Sequence, residues 1–378
     1  MTTLISMELL LLIILIISSL VQLCYYFCLF QKFTQYKTNY VKKSNKPGVS
    51  VIICAKDEAE NLNRLLPAIY QQNYPDFEII LINDRSIDNT LEIMEKFEEN
   101  YPHKTRVVNV PFSKDDRLRG NKKYALTLGI KAAKNNHLLF TDADCQPAST
   151  NWITYMTSQF GGKTQIVLGY GKYRKESGFL NKMIRYETLQ TALQYFSFAI
   201  KRIPYMGVGR NLAYTKELFI NNNGFYNHLD ILSGDDDLFV NETATTENTE
   251  ICINPDSFTV SIPKQSLQAY IHQKRRHIST SDKYQLKFKI LLGLYHSSIL
   301  LFWISAINLL LIQINFPIVI GIIFVRYITM AWVQNRAAKK LQEEDLIIWF
   351  PVLEISLIIF QLYIFVRNLI KKPSYWTP

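Results

Sequence analysis

The segment HLLFTDADCQP, residues 137–147, carries two carboxylates at the end of an apolar run. Residues 138–140 are typical of a buried strand, and Asp142 and Asp144 follow it, where open α/β sheets bind their ligands. Buried carboxylates need a cation or hydrogen-bond donors to offset the loss of water. A D-x-D triplet also occurs by chance in surface loops, but its position after a strand favours a site for Mg²⁺ or Mn²⁺, which prefer oxygen ligands.

Acidic residues also follow two earlier apolar runs. Asp57 and Glu58 come after VSVIICA, and Asp84 comes after FEIILIN. Acidic residues are common at helix N-termini and Asx-rich sequences are common in turns, so each motif has an ordinary structural explanation. The alternative for Asp84 is a ligand contact, because a carboxylate can accept a hydrogen bond from a nucleobase N–H or a ribose hydroxyl.

Two adjacent lysines, Lys122 and Lys123, stand at the predicted start of a helix in the sequence RGNKKYAL. Positive charge at a helix N-terminus opposes the helix dipole, and an anion bound at the same end would resolve that conflict. The pair therefore fits either an anion-binding helix start or a solvated charged turn.

Three later motifs carry further polar residues that could serve a site. SGDDDLFVNE contains the consecutive aspartates 235–237, whose charges repel unless solvent or a function accommodates them. GVGRNLAYTKELF contains Arg210 and Asn211 and fits either a site or a glycine-bearing turn before a helix. IHQKRRHIST, residues 271–280, is basic and fits either a site or a helix at a membrane surface.

The elements that must position these residues alternate in type over residues 48–270. Continuous apolar runs rich in β-branched residues, such as VSVIICA, are typical of buried parallel strands, and AENLNRLLPAIYQQ has apolar residues at helical spacing. FEIILIND, TRVVNV, KKYALTLGIKAAK and HLLFTDAD continue the pattern. The alternation predicts an α/β domain with an open, mostly parallel sheet. Residues 178–204 fit either an amphipathic helix at the bilayer surface or a core helix.

Apolar segments flank this domain. Residues 4–30 are long enough to cross a bilayer and lack a signal-peptide cleavage site. Lysines follow this segment and none precedes it, which predicts a cytosolic domain by the positive-inside tendency. Residues 290–314, 316–332 and 346–365 predict two or three further spans.

The last apolar segment has an alternative interpretation. Three crossings after a cytosolic domain would place Arg367, Lys371 and Lys372 outside, against the positive-inside tendency. Pro351 and Glu354 also interrupt the segment, so a re-entrant or interfacial helix is the alternative to a full span. The predicted order is an N-terminal transmembrane helix at residues 1–31, a cytosolic domain at 48–270, a basic membrane-surface segment at 271–289, and a C-terminal membrane region at 290–370.

The composition narrows the classes of partner. The net charge of +10 could serve nucleic acid, anionic lipid or a nucleotide, but many of the cations flank apolar segments, which favours membrane lipid and a nucleotide and argues against nucleic acid. The five cysteines form no spaced framework, as expected for free thiols in a reducing compartment, and the six histidines have no zinc-binding spacing.

Together, VSVIICAKDEAEN, IILINDRSIDNT, GNKKYAL and LLFTDAD resemble the successive motifs of family 2 inverting glycosyltransferases with the GT-A fold. The resemblance covers about residues 48–280, and the apolar segments resemble the membrane layout of the branch that makes polysaccharides or glycosylates lipids. It implies that Asp57, Glu58 and Asp84 hold the nucleoside of a nucleotide sugar. It also implies that Lys122 lies near nucleoside or phosphate, and that Asp142 and Asp144 are the family's D-x-D, with Asp144 the direct metal ligand.

The later motifs extend the resemblance. Arg210 and Asn211 match a Gly-x-Asn-Leu-Ala segment below the donor sugar, and Gln273 and Arg276 match a Q-x-x-R-W segment in which Arg contacts diphosphate. His277 replaces the Trp, which argues against long-chain processive synthesis. The general base is expected within the acidic run: alignment on Leu238 gives Asp235, and alignment on the Gly-Asp-Asp start gives Asp236, which is favoured.

The resemblance therefore implies an inverting glycosyltransferase of a bacterial inner or plasma membrane. It would move a sugar from a nucleoside diphosphate to a lipid-linked or oligosaccharide acceptor, with Mg²⁺ or Mn²⁺ and an aspartate base. Two other classes remain open: a membrane nucleotidyltransferase, and a non-catalytic membrane scaffold with a transferase-like domain. The sequence leaves the donor sugar, the linkage and the number of spans open.

Overall fold

The computed structural model describes residues 2–37, 46–111, 122–231, 233–278 and 280–370, with side chains from residue 7 onward. Lys371 and Lys372, on which the predicted topology depends, lie outside the described residues. The strands are β1 Val49–Ala55, β2 Phe77–Asn83, β3 Thr105–Asn109, β4 His137–Asp142, β5 Cys145–Pro147, β6 Ile166–Leu168, β7 Gly171–Tyr173, β8 Leu212–Thr215, β9 Thr249–Ile251 and β10 Thr259–Ser261. The helices are α1 Thr2–Cys24, α2 Gln31–Gln35, α3 Ala59–Tyr70, α4 Thr90–Asn100, α5 Lys122–Ala132, α6 Trp152–Ser158, α7 Phe179–Ile200, α8 Lys216–Asn221, α9 Asp237–Thr243, α10 Leu267–Ile278, α11 Leu286–Leu311, α12 Phe316–Leu341 and α13 Phe350–Ile370.

The main sheet has the order β3-β2-β1-β4-β8-β6-β9, and β5, β10 and β7 form a smaller sheet. Strands β3, β2, β1 and β4 are parallel neighbours, whereas β8 is antiparallel to β4 and to β6. The predicted open, mostly parallel sheet is therefore confirmed. Because β1 and β4 are parallel, with Cys54 opposite Asp142, their carboxyl ends meet at one edge.

Helices cover both faces of this sheet, as its doubly apolar strands require. Val51 and Ile53 of β1 belong to the core cluster of α3 and α6, whereas Ile52 belongs to the cluster of α5 and α7. Helix α5 approaches the sheet closely at Gly129, where a Cβ atom would lie 2.1 Å from Ile82 Cδ1. This close approach holds the start of α5 at the carboxyl edge of the sheet.

Helix α7 is a core helix. It is buried around most of its circumference, and Phe196 stacks on Phe33 of α2 with 5.5 Å between ring centroids. Of the two interpretations of residues 178–204, the structure has the core helix, because the membrane-region helices cover the face that could have met lipid.

Within the described residues, four helical stretches are long and apolar enough to cross a membrane, which indicates a membrane protein; they are Met7–Gln35, Leu286–Leu311, Phe316–Leu341 and Glu344–Ile370. Helix α13 is continuous through Glu354, and this carboxylate is paired. Glu354 Oε1 lies 2.5 Å from Arg326 Nη2 of α12, and Arg326 Nε donates to Gln22 Oε1 of α1 at 2.6 Å. Ionisable groups inside apolar helices are tolerated when they are paired in this way.

A second buried ion pair joins the α/β domain to the membrane region. Arg185 of α7 is 2% exposed, and its Nε donates to Glu343 Oε2 at 2.8 Å, just after α12. Its Nη1 donates to Asp345 Oδ2 at the same distance. The two halves of the structure are therefore held together by a desolvated charge cluster.

We expect Arg185→Met to lower the free energy of unfolding by about 3–5 kcal/mol, because it leaves the fully buried Glu343 without its cation. Arg202→Met is the matched control, since Arg202 pairs with Glu250 in an exposed setting worth about 0–1 kcal/mol. Thermal or denaturant unfolding in detergent measures both. If Arg185→Met lowers the free energy of unfolding no more than Arg202→Met does, the stabilising role of the Arg185–Glu343 pair is wrong.

Candidate active site

A cavity of about 1250 Å³ lies at the carboxyl edge of β1 and β4, bounded by α7 on one side and by α10 on another. Of the predicted site residues, it is lined by Glu58, Lys122, Asp142, Asp144, Arg210, Asp235, Asp236, Gln273 and Arg276. Asp57, Asp84 and Asn211 are not among its lining residues. The structure thus brings most of the motifs to one space.

Lys122 connects two of these motifs. Its Nζ lies 2.8 Å from Asp142 Oδ1 and 3.1 Å from Asp235 Oδ2. Burial alone would lower the pKa of Lys122, but the two carboxylates raise it well above its ordinary value. Lys122 is therefore a fixed cation between the D-x-D segment and the acidic run.

Asp142, Asp144 and Cys145 offer donor atoms that all lie within 4.8 Å of one another. Burial and the neighbouring charge of Asp142 raise the pKa of Asp144, and the charges of Arg210 and Lys264 offset this only in part. Burial also raises the pKa of the Cys145 thiol, which stays protonated and donates to Asp144 Oδ1 at 3.3 Å. The two carboxylates remain as hard oxygen donors, a set that suits Mg²⁺ or Mn²⁺ better than thiolate-binding metals.

The three consecutive aspartates have three different surroundings. Asp237 is buried and accepts hydrogen bonds from Thr280 Oγ1 at 2.5 Å and Tyr284 OH at 2.7 Å, so it anchors the chain segment after α10. Asp235 is paired with Lys122, and although burial opposes the change, the lysine charge lowers its pKa. The run is neither solvated nor chemically uniform.

Asp236 and Asp237 both line the cavity with a raised pKa, but the Asp236 carboxylate accepts hydrogen bonds from backbone N–H groups and not from side chains. Its Oδ2 accepts from the Gly209 N–H at 2.6 Å, and its Oδ1 accepts from the Asp237 N–H at 2.7 Å. Burial, followed by the charges of Asp235 and Asp237, raises its pKa to about 7. A carboxylate with a pKa near neutrality can take up and release a proton under physiological conditions.

Of the acidic residues after β1 and β2, one lines the cavity and two lie outside its lining. Glu58 lines the cavity, and burial, with added repulsion from Asp144 and Asp142, raises its pKa to about 7. Asp57 adopts a left-handed φ of 56° and accepts from the Ile87 N–H at 2.8 Å. Asp84 is fully buried; its Oδ1 accepts from Arg85 Nε at 2.9 Å, and its Oδ2 has no hydrogen-bond partner in the described part of the chain.

Arg210 and Asn211 are adjacent in sequence but point to different places. The Arg210 guanidinium lies in the cavity wall, 4.3 Å from the Tyr173 ring centroid. Asn211 is fully buried beneath the cavity, where its amide donates to the carbonyls of Tyr170 at 3.0 Å and Ser257 at 2.7 Å and accepts from Trp152 Nε1 at 3.0 Å. Its side chain holds the cavity floor together.

Helix α10 covers the cavity. Gln273, Arg276 and His277 line it, and Gln273 Nε2 lies 3.4 Å from Tyr173 OH. Lys274 on the same helix forms an ion pair of 2.5 Å with Glu187 of α7. The basic segment predicted for a membrane surface therefore contributes to the cavity wall.

The amino-acid sequence did not distinguish the position of Lys123 from that of Lys122. Its ammonium is 1% exposed and donates to the carbonyls of His228, Ile231 and Ser233 at 2.7, 2.9 and 2.6 Å. Those carbonyls belong to the loop that leads into Asp235 and Asp236. Lys123 is therefore placed to hold this loop. In the sequence, the one hint of this separate position is that two adjacent lysines occur where a single lysine would be enough to bind an anion.

We expect Lys123→Met to lower stability by about 1–3 kcal/mol, because buried carbonyls lose a charged donor. Lys131→Met, on the exposed face of the same helix, is the control. Denaturant unfolding in detergent measures both variants, and a Lys123→Met effect no larger than that of Lys131→Met would contradict a role of Lys123 in holding this loop.

Comparison with known proteins gives concordant matches. Residues 50–220 match the family model described as Glycosyl transferase family 2. A poly-beta-1,6-N-acetyl-D-glucosamine synthase of Staphylococcus epidermidis is 31% identical over 138 residues, which cover 36% of this chain and 31% of that protein. Glycosyltransferase AglE of Haloferax volcanii is 30% identical over 202 residues, covering 51% of this chain and 60% of that protein.

These matches span less than two thirds of either relative. Among solved structures, the mannosyltransferase PcManGT from Pyrobaculum calidifontis, in complex with GDP-Man and Mn²⁺, has a TM-score of 0.60 at 16% identity, covering 89% of this chain and 98% of that one. At this identity the likeness concerns the fold alone.

Proposed function

From the premise that this chain belongs to glycosyltransferase family 2 through residues 50–220, we propose that it is a membrane-bound inverting enzyme. It moves a sugar from a nucleoside diphosphate to a hydroxyl of a lipid-linked or oligosaccharide acceptor. The family match favours this activity over a nucleotidyltransferase or a non-catalytic scaffold. The catalytic domain would lie on the cytosolic side, where nucleotide sugars are available.

One observation carries the proposal: Lys122 bridges Asp142 and Asp235 inside a cavity that also contains Asp144 and Asp236. Glycosyl transfer needs a cationic surrounding for the leaving diphosphate and a base for the attacking hydroxyl. The bridge supports the proposal, because it joins the segment proposed to hold the metal to the acidic run proposed to supply the base.

Asp142 and Asp144 are proposed to hold Mg²⁺ or Mn²⁺, with Asp144 the direct ligand. When bound, the ion would supply charge stabilisation for the departing diphosphate. Lys122, Arg210 and Arg276 line the same cavity and would add positive charge around the phosphates, and Gln273 would hydrogen-bond beside them. The fixed charge of Lys122 needs no reorganisation during the reaction.

Asp236 is proposed as the general base, with Asp235 the alternative. Its carboxylate takes the acceptor hydroxyl proton as the new oxygen–C1 bond forms and the C1–oxygen bond to diphosphate breaks. A single displacement of this kind inverts the anomeric centre without a covalent intermediate. Asp235 is already neutralised by Lys122, which favours Asp236 for proton transfer.

The remaining predicted residues would bind the donor from around the cavity. Glu58, Asp57 and Asp84 are proposed to hold the nucleoside, and Asp84 Oδ2, which has no hydrogen-bond partner among the described residues, would accept from a base N–H. Asn211 would contribute from beneath, by fixing the floor that carries Arg210.

The test is a donor screen with the full chain in nanodiscs, with Mg²⁺ or Mn²⁺, scoring release of UDP and GDP from their sugars. We expect turnover of one nucleotide-sugar class, lost in Asp144→Asn and retained in Asp76→Asn, an exposed position outside the cavity. Absence of turnover and of metal-dependent nucleotide binding for every donor, with membrane lipids present, would overturn the proposal.

A further inference from the structure

The cavity does not end at the predicted donor residues. Beyond Asp236 its lining continues to Leu292 and His296 of α11 and to Tyr363 and Arg367 of α13. Both helices belong to the stretches that are long and apolar enough to cross a membrane. One continuous space is therefore lined by the acidic run and by side chains of the membrane region.

The position of these residues along α11 indicates how far the space extends. Lys287 and Lys289 lie in the first turn of α11, so the apolar part of the helix begins at Ile290. His296 is six residues after Ile290, which corresponds to about 9 Å of helix at 1.5 Å per residue. The hydrocarbon core of a bilayer is about 30 Å thick, so the cavity extends past the polar end of this helix into its apolar part.

Helix α10 is fixed to the membrane-side end of this space. Tyr270 stacks on Phe360 of α13 with 4.9 Å between ring centroids, and Arg275 Nε donates to Asn368 Oδ1 at 3.0 Å. Asn368 Nδ2 donates back to the Arg275 carbonyl at 3.0 Å. The helix that covers the donor side is thus anchored on the helix that borders the membrane side.

The size and lining of the cavity fit two substrates of different character. Its volume of about 1250 Å³ exceeds the roughly 300–1,000 Å³ of a pocket for one drug-sized ligand. Charged groups surround Asp142 and Asp144. The lining from α11 and α13 combines Leu292 and the ring of Tyr363 with His296 and Arg367. This mixed lining fits an amphiphile better than a soluble sugar, which would gain little from the apolar groups.

We propose that the acceptor is an amphiphilic lipid whose hydroxylated headgroup enters the site from the membrane, between α11 and α13, to meet Asp236. This inference rests on the proposed function and specifies its acceptor. A hydroxyl is favoured over a lipid phosphate because a phosphate is already an anionic nucleophile that needs no base.

The test compares three acceptors. Dodecyl β-D-glucoside has a sugar and a hydrophobic chain, methyl β-D-glucoside has the sugar without the chain, and dodecyl phosphate has the chain with a phosphate in place of the sugar. Each is offered to the full chain in phosphatidylcholine nanodiscs with the donor identified in the screen. Labelled sugar is expected in the product of dodecyl glucoside, at least about tenfold above methyl glucoside at equal concentration. Equal transfer to methyl glucoside, transfer to dodecyl phosphate alone, or donor hydrolysis without any glycosylated product would overturn the inference.

Variants of α11 test the route. Leu292→Trp and His296→Trp place bulk in the cavity and should lower transfer to dodecyl glucoside about tenfold or more, while donor affinity and acceptor-independent release of nucleoside diphosphate stay unchanged. Leu294→Trp is the matched control, because Leu294 is 48% exposed and outside the cavity lining. Full transfer by both blocking variants overturns the inference alone, whereas loss of all donor turnover in the wild-type chain overturns the proposed function and this inference with it.

Discussion

Asp236→Asn is expected to lower kcat for sugar transfer by about 10²–10⁴-fold, the usual contribution of a positioned general base. Donor affinity should stay unchanged, because Asp236 is held by the N–H groups of Gly209 and Asp237 and is not among the residues proposed to hold the metal or the diphosphate. Nucleoside diphosphate release with acceptor measures kcat, and calorimetric titration of donor measures affinity. The asparagine side chain keeps the volume of aspartate and cannot take the proton.

The pH dependence gives this prediction a signature that misfolding cannot imitate. Asp236 must be deprotonated to act as base, and its pKa is raised to about 7, so kcat should rise with pH through about 7 and then level off. Asp235→Asn should move this rise to lower pH, because the charge of Asp235 is one of the causes that raise the pKa of Asp236. In that variant Lys122 also loses a partner, and its charge acts in the same direction.

The control for Asp236→Asn is Asp76→Asn, which removes an exposed carboxylate outside the cavity and should leave kcat and the pH profile unchanged. If Asp235→Asn abolishes transfer while Asp236→Asn retains it with an unaltered pH profile, then Asp235 is the base and the assignment to Asp236 is wrong.

Asp144→Asn should lower the rate of metal-dependent donor turnover by about 10²–10³-fold, which is the usual loss when one group that stabilises developing charge is removed. Unlike Asp236→Asn, it should also weaken binding of Mn²⁺ and of the donor, because Asp142 alone offers too few charged oxygens. Electron paramagnetic resonance of Mn²⁺ measures metal binding directly and does not require turnover. Removal of metal with EDTA should reproduce the kinetic effect in the wild-type chain.

Cys145→Ala provides a matched control for Asp144→Asn. Cys145 is close enough to join the metal-binding group, but its protonated thiol contacts Ser261 and donates to Asp144. We expect Mn²⁺ affinity to persist in Cys145→Ala. Loss of Mn²⁺ in that variant, or full donor turnover by Asp144→Asn in EDTA, would contradict the assignment of the two carboxylates as the metal ligands.

The sequence was sufficient for strands β1 to β4, for the helices between them and for the edge at which the polar motifs meet, but not for the short strands that form the rest of the two sheets. Buried parallel strands must be apolar on both faces, so β1, β2 and β4 stand out as continuous apolar runs. Since parallel strands end at the same edge of the sheet, motifs that follow β1 and β4 had to lie close together. The apolar stretches also stand out, because crossing a bilayer requires a length of apolar helix that the sequence displays directly.

Only the tertiary structure determined which contacts each residue makes within a run of adjacent, similar residues. Lys122 reaches the carboxylates, and Lys123, one residue later and about 100° around the helix, reaches the loop carbonyls. The partners of Asp237, and the Glu343 that pairs with Arg185, lie far away in sequence. Such roles depend on side-chain direction and on partners brought in by packing, and neither residue type nor spacing within one segment encodes them.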